Sequence, residues 1–242
     1  MAVARKTNTI DTPVRHVVSC DLTVSDMAWD WAHANDASIK RFWKKAVAEK
    51  PALFNGVILL LANHTIVENH LSGEILKTDF ASFLYWKDQG LPKDAGVQNI
   101  FGCAVVRSSE GHLLFGHMAP HTAAAGRVYP MAGTPDADDI KDGKVDLEGS
   151  IRRELQEEAG LSVDDANRQP GYVLIEDAGM MALCAVLDFD APSRDLKAKM
   201  MLHIDTQELS ELDDIVVFRR AAFHVHHRMP GFARTLVQYL IN

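Results

Sequence analysis

Between positions 153 and 161 the chain reads Arg-Glu-Leu-Gln-Glu-Glu-Ala-Gly-Leu. Glu154 and Glu157 are three residues apart, and Glu154 and Glu158 four, spacings that put side chains next to each other on one helix face. Carboxylates that close repel one another. A hard divalent cation offsets the repulsion, because Mg2+ prefers oxygen ligands in octahedral geometry and keeps several waters. Arg153, four residues before Glu157, is spaced to orient it through a charge-assisted hydrogen bond. Taken alone, Glu-x-x-Glu-Glu is more often a solvated acidic face than a site.

The element that must position these groups is legible around them. Ile151, Leu155 and Ala159 recur every four residues, marking one buried helical face. Asp146 has the side chain of an N-cap, with Gly149 tolerated early in the first turn. Gly160 follows the last periodic residue, where a left-handed C-cap favours glycine. The spacing predicts a helix over 147–159, with the carboxylates opposite its apolar stripe.

Arg-Glu-Leu-x-Glu-Glu-x-Gly-Leu resembles the second half of the Nudix box, Gly-x5-Glu-x7-Arg-Glu-apolar-x-Glu-Glu-x-Gly-apolar. The match covers nine positions, seven of them specified. The resemblance implies a hydrolase acting on a nucleoside diphosphate linked to another group, with Mg2+ or Mn2+ held on the glutamate helix. It implies Glu157 and Glu158 as principal metal ligands, Glu154 as a further ligand or the general base, and Arg153 as the residue that holds the glutamates in place. The first half of the box departs from the pattern. Counting back from Arg153, Val145 stands where the family has Glu, and Asp139 where it has Gly. A better alignment takes Gly133 as the loop glycine and residues 134–144 as a longer loop. Asp136, Asp138, Asp139 and Asp142 of that loop, with Asp146 and Glu148, are the candidates to replace the absent glutamate.

Length and composition narrow the setting. The 242 residues fit one large domain or a core with an appended unit. A content of 47% hydrophobic and 24% charged residues is that of an ordinary soluble globular protein. The net charge of −8 argues against nonspecific nucleic-acid binding, which rests on Lys and Arg meeting phosphates. Cys20, Cys103 and Cys184 are far apart and form no CxxC pair, so they indicate neither a zinc site nor a disulfide framework. Reduced thiols in a cytoplasmic protein are the expectation. Met1 to Arg15 has no apolar run of the secretory type, and the longest apolar run, 57–62, is too short to span a bilayer.

The pattern divides the chain into a front α+β unit, 1–95, and a Nudix-like domain, 96–242. In the front unit it predicts β structure over 14–24, helices over 27–35 and 38–48, and a buried strand over 57–62. A turn at Asn63-His64, short strands over 65–70 and 74–78 around a Ser72-Gly73 hairpin, and a helix capped by Asp79 complete the unit. Trp43, Phe54, Tyr85 and Trp86 read as core or interface residues rather than a stacking platform. From residue 97 a strand, turn and return strand over 100–117 lead through a small-residue loop to Arg127–Gly133. Strands over 172–177, 180–190 and 215–218, a partly helical 194–203 and a terminal amphipathic helix over 232–241 follow.

For these segments the resemblance implies an α/β/α sandwich with a mixed sheet, plus the N-terminal α+β extension. It also implies a backbone carbonyl from Ala132 or Gly133 in the metal shell, and one further acidic ligand or base beyond the box. Glu208 and Glu211 are the candidates, Glu211 marginally ahead. Arg127 and His121 precede the loop within reach of a phosphate, since Arg forks match phosphate oxygens. His224 and His226 would share one side of a strand, with no third ligand spaced for a metal.

The expected activity is metal-dependent hydrolysis of a small-molecule nucleoside diphosphate derivative. The front unit followed by Pro-x-Leu-Phe-Asn-Gly is loosely similar to Nudix members acting on UDP-sugars, and ADP-ribose is the nearest alternative. The other class of reading is a Nudix-fold binding or regulatory module without turnover, motivated by Val145. Dimers are common in the family, and the front unit is a possible homodimer interface.

Overall fold

The computed structural model describes residues 12–51, 53–219 and 228–241. Alternating apolar residues at the start of the chain form two short strands, β1 (Val14–Val17) and β2 (Ser19–Val24), which enter different sheets. Next come α1 (Asp30–Glu49), β3 (Val57–Val67), β4 (His70–Asp79) and α2 (Phe80–Asp88). The central strands are β5 (Asn99–Arg107), β6 (Leu113–Met118), β7 (Val128–Tyr129) and β8 (Met131–Gly133). A small hairpin, β9 (Ile140–Lys141) and β10 (Lys144–Val145), leads into α3 (Leu147–Ala159). The chain continues through β11 (Ala166–Arg168), β12 (Tyr172–Asp177), β13 (Met180–Phe189), α4 (Ser193–Thr206), β14 (Leu212–Phe218) and α5 (Gly231–Ile241).

The larger sheet runs β1-β12-β13-β5-β6-β14, and off this path β11, β7 and β8 pair with β13, β6 and β5. It is mixed: β13 and β5 are parallel, and the other pairs are antiparallel. Strand β5 is buried on both faces, so successive residues serve opposite cores. Ile100, Ala104 and Val106 join the cluster with Ile151 and Leu155 of α3 and Met200 of α4. Phe101, Cys103 and Val105 join Phe232, Leu236 and Val237 of α5. The result is the expected α/β/α sandwich, with α3 and α4 on one face and α5 on the other. The smaller sheet, β3-β4-β2-β10-β9, turns one face to the α3 core through Leu22, Leu61 and Ile75. Its other face packs on α1 and α2 through Trp29, Leu60, Phe83 and Trp86.

Strand pairing crosses the expected boundary at residue 95 in both directions. Strand β1 pairs with β12 of the larger sheet, and β10 pairs with β2 of the smaller one. The loop after Gly133 is tied forward as well, because Leu59 N–H donates to Pro135 O at 3.1 Å.

Several local expectations are corrected. The two helices over 27–48 are one, α1, because no glycine or proline interrupts the segment. Asn35 Nδ2 donates to Trp31 O at 2.8 Å and Lys40 pairs with Asp36, so the polar stretch stays helical. Neither Asn63-His64 nor Ser72-Gly73 is a turn. Strands β3 and β4 run through both, with a bulge between Leu61 and Asn63, and reverse at Glu68-Asn69, whose φ values are 50° and 65°. Such paired left-handed residues match the twist of a hairpin. Gly73 is a packing glycine: a Cβ there would lie 2.6 Å from Leu61 Cδ1. The partly helical 194–203 is the full helix α4, and the loop over 134–144 contains the β9–β10 hairpin, turned by Asp142-Gly143 at φ 50° and 75°. His224 and His226 lie outside the described residues.

Candidate active site

Helix α3 spans the predicted 147–159. Asp146 caps it by accepting from Gly149 N–H at 2.8 Å, and a Cβ at residue 149 would collide with that same carboxylate. The apolar stripe of Leu147, Ile151, Leu155 and Ala159 is buried. It approaches β5 closely because residue 102 is glycine; a Cβ there would be 2.4 Å from Ile151 Cγ1. At the other end Gly160 is left-handed, with φ 63°. Side chains of α4 and the residue after it close the last turn: His203 Nε2 and Gln207 Nε2 approach Glu157 O at 2.9 and 2.6 Å. Packing, both ends and a neighbouring helix thus set the direction in which residues 153–158 project.

Glu158 points inward and is only 5% exposed. Its Oε2 accepts from Ala132 N–H on β8 at 3.1 Å. Glu154 is nearly as enclosed and lies directly over Gly133. A Cβ at residue 133 would stand 2.2 Å from Glu154 Oε1, so only glycine allows that carboxylate its place. Glu157 faces outward, with its side chain 61% exposed and Oε2 at 3.5 Å from Arg153 Nη1. Arg153 bridges two acids. Its Nη1 donates to Glu154 Oε1 at 2.8 Å, and its Nη2 reaches both Asp139 oxygens at 3.2 and 3.1 Å.

Asp139 is one of six acids that the sequence leaves unranked. It is 5% exposed, its Oδ2 also accepts from Asp136 N–H, and its own carbonyl accepts from Asp146 N–H at 2.8 Å. Its spacing from Gly133 is Gly-x5-Asp, the box spacing with Asp for Glu. Thirteen residues then separate it from Arg153, against seven in the pattern, and the six extra accommodate the β9–β10 hairpin. Counting back from Arg153 therefore lands on Val145 of β10 and misses the acid. Of the other five candidates, Asp146 and Glu148 are taken by the cap and by Arg168 with Tyr172.

Electrostatics follow from this crowding. Burial, opposed by Arg153 and reinforced by Glu157, Glu211 and Asp139, pushes Glu154 up to about 7. Burial, then the charges of Glu154 and Glu211, hold Glu158 well above the ordinary carboxylate range. Burial and the same glutamates raise the Tyr129 phenol. Glu211 is exposed at the residue before β14, near enough for its charge to be felt by both buried glutamates. Glu208 is exposed, and so is His121.

Beside β8 opens a cleft of about 480 Å3. Ala132, Gly133, Arg127 and Tyr129 line it, and Lys87 of α2 and Asn99 of β5 complete its polar wall. Lys87 and Asn99 have no sequence signal, because α2 and β5 are brought together only by the fold. A second cavity, of about 490 Å3, lies between Trp29, Trp31, Asn63 and Asp94, away from the glutamates.

Among the described residues no three His, Cys, Asp or Glu side chains are gathered into a set ready to hold an ion. The donor chemistry nevertheless suits a hard divalent cation. The side-chain donors are carboxylates, two of them buried, and a cation offsets the cost of burying their charge, which with the neighbouring carboxylates raises Glu154 and Glu158.

The chain's sequence matches no family model and no curated protein. The solved structures it resembles include a MutT protein and proteins described as Nudix hydrolases or domains. The MutT protein of Methanosarcina mazei Go1 is 17% identical at TM-score 0.40, with 58% of this chain and 91% of that one covered. The Nudix hydrolase RenU of M. smegmatis is 16% identical at 0.35, covering 58% and 81%. The Nudix domain of Shewanella oneidensis NrtR, in complex with ADP ribose, is 14% identical at 0.36, covering 57% and 82%.

Proposed function

We propose that this protein is a metal-dependent Nudix-type hydrolase that cleaves the diphosphate linkage of a nucleoside diphosphate joined to another group. The observation that carries the reading is the pair Glu154 and Glu158, two buried carboxylates held against Gly133 and Ala132 beside an open cleft. Glu158, Glu154 and Glu157, with a carbonyl from Ala132 or Gly133, would hold Mg2+ or Mn2+. Glu157, exposed and outward here, would have to turn inward to join such a site. When bound, such an ion would supply Lewis acidity toward the phosphate oxygens and the attacking water.

The chain's own residues supply the rest. Arg153, anchored on Asp139, holds Glu154 over Gly133, a residue of the cleft wall. Rigidity of this kind matters because small errors of position are costly in rate. Glu154 either completes the ion site or takes the proton of the attacking water, and Glu211 adds negative potential nearby. Arg127 lies on the cleft wall, where its guanidinium suits phosphate oxygens. The substrates to try first are UDP-sugars and ADP-ribose, and three free cysteines, two of them buried, fit a reducing cytoplasm.

The test is release of nucleoside monophosphate from UDP-glucose, ADP-ribose, NADH and dNTPs with Mg2+ or Mn2+. Turnover of at least one, abolished by Glu158→Gln in a folded protein, is the expected result. A second reading, a nucleotide-binding module without turnover, is favoured by the outward Glu157 and the ungathered carboxylates. Binding without product from any substrate supports that reading and overturns the first.

A further inference from the structure

Besides Arg127, the cleft beside β8 carries two polar groups, Asn99 and Lys87, to which the hydrolytic reading gives no role. Asn99, at the start of β5, is only 6% exposed and lines the cleft. Its Oδ1 accepts from Thr134 Oγ1 at 3.2 Å, while its amide nitrogen has no protein partner among the described residues. That nitrogen is open to solvent on the cleft wall rather than sealed, so water or a ligand can meet it.

Two cations share the same wall. Lys87 projects from the last turn of α2, its ammonium 5.1 Å from the centre of the Phe83 ring. Arg127 arrives from the other side of the fold, just before β7. Both are exposed, and among the described residues neither has a carboxylate within ion-pair distance. The surrounding protein and then the charge of Arg127 lower the Lys87 pKa, so the two cations sense each other. One carboxylate, Asp177, lines the cleft too, but it packs against Gly231 in the first turn of α5. In a chain of net charge −8, two uncompensated neighbouring cations in a cleft mark a place for an anion.

We propose that Lys87 and Arg127 form a phosphoryl-binding arm separate from the glutamate helix, and that Asn99 donates to the oxygen next to the bound phosphoryl group. The arm is built jointly: Lys87 comes from the front unit and Arg127 from the Nudix-like domain. The front unit thereby completes the substrate site rather than merely flanking it. The phosphoryl group is either the scissile diphosphate or a further phosphate on the substrate. That the ligand is a substrate rests on the function proposed above; that the arm binds phosphoryl oxygens does not.

The test is calorimetric binding in Mg2+ of α,β-methylene-ADP, α,β-methylene-UDP and adenosine 2′,5′-bisphosphate, none of which carries a cleavable anhydride. Wild type is compared with K87E, K87R, R127E and N99L. Removing a charge-assisted hydrogen bond to a phosphoryl oxygen is expected to weaken binding about tenfold or more in K87E and R127E. K87R should retain most of the affinity, and K87E should flatten the salt dependence. Weaker binding of the methylene diphosphates assigns the arm to the diphosphate. Weaker binding of the bisphosphate alone assigns it to a further phosphate. Unchanged affinity in both charge reversals, or no binding of any probe by wild type, overturns the proposal. If the probes bind and the charge reversals weaken them while no anhydride is hydrolysed, the arm stands and the hydrolytic reading falls.

Discussion

Replacing Gly133 with alanine changes one methyl group and tests the placement of Glu154 directly. The backbone at 133 is not left-handed, so alanine adopts it without strain. The added Cβ, however, would lie 2.2 Å from Glu154 Oε1 and 2.4 Å from its Cδ. Ordinary carbon–oxygen contact is about 3.3 Å, so the carboxylate must retreat by about 1 Å. Glutamate is flexible enough to do so without unfolding α3, and the melting temperature should move by no more than a few degrees. A misplacement of that size costs about 100-fold in rate. G133A should therefore lower kcat about 100-fold on whichever diphosphate substrate is turned over, with KM little changed. A crystal structure or NMR titration of the variant should show Glu154 displaced. Full activity in G133A, with Glu154 moved, would refute the role given to that carboxylate.

Other outcomes follow from the same geometry. Glu154 has a folded pKa of about 7 against an ordinary 4.5, so its stabilising protonated form is fully present below 4.5 and is lost as pH rises through 7. Glu154 alone should cost the metal-free protein about 3 kcal/mol across that window, so E154Q should lose less than wild type, with Glu158 supplying the remainder, as read by urea unfolding at pH 5 and 8 in EDTA. Asp188 is the opposite case: hydrogen bonds from Arg107 and Gln169 hold its pKa down. Its contribution is present above the ordinary 3.8 and lost as pH falls through the lower folded value. D188N should cost about 1–2 kcal/mol at pH 7 and remove that acid sensitivity, measurable by the same unfolding series. D139N leaves Arg153 with half a partner; about 1–3 kcal/mol of stability and about tenfold in kcat should go, and D139E should recover part of the rate.

Helix α3 is legible in the sequence because its signals are local: a cap at Asp146, a four-residue stripe and a closing Gly160. The carboxylate spacing comes with it, but not the direction of each group. Glu154 and Glu158 turn inward because β8 offers Gly133 and the Ala132 amide, whereas Glu157, one residue before Glu158, faces water. That difference depends on a strand about twenty residues upstream. Asp139 cannot be ranked among its neighbouring acids from sequence, because its partner Arg153 lies across an inserted hairpin and counting along the chain breaks down there. In the front unit the sequence misleads where long strands pass through polar residues. Asn63, His64 and Gly73 look like turns but sit in β3 and β4, because cross-strand pairing outweighs their turn preference. Lys87 and Asn99 give no signal, since a cleft wall assembled from α2 and β5 has no sequence motif.

Glu154 and Glu158 are proposed to hold a divalent ion. Titration of Mn2+ into the protein, followed by the electron paramagnetic resonance signal of free Mn2+, tests it without knowledge of the substrate. Wild type should take up at least one Mn2+, and the folded double variant E154Q/E158Q should leave the signal of free Mn2+ undiminished. Equal uptake by both proteins, or none by wild type, would contradict it.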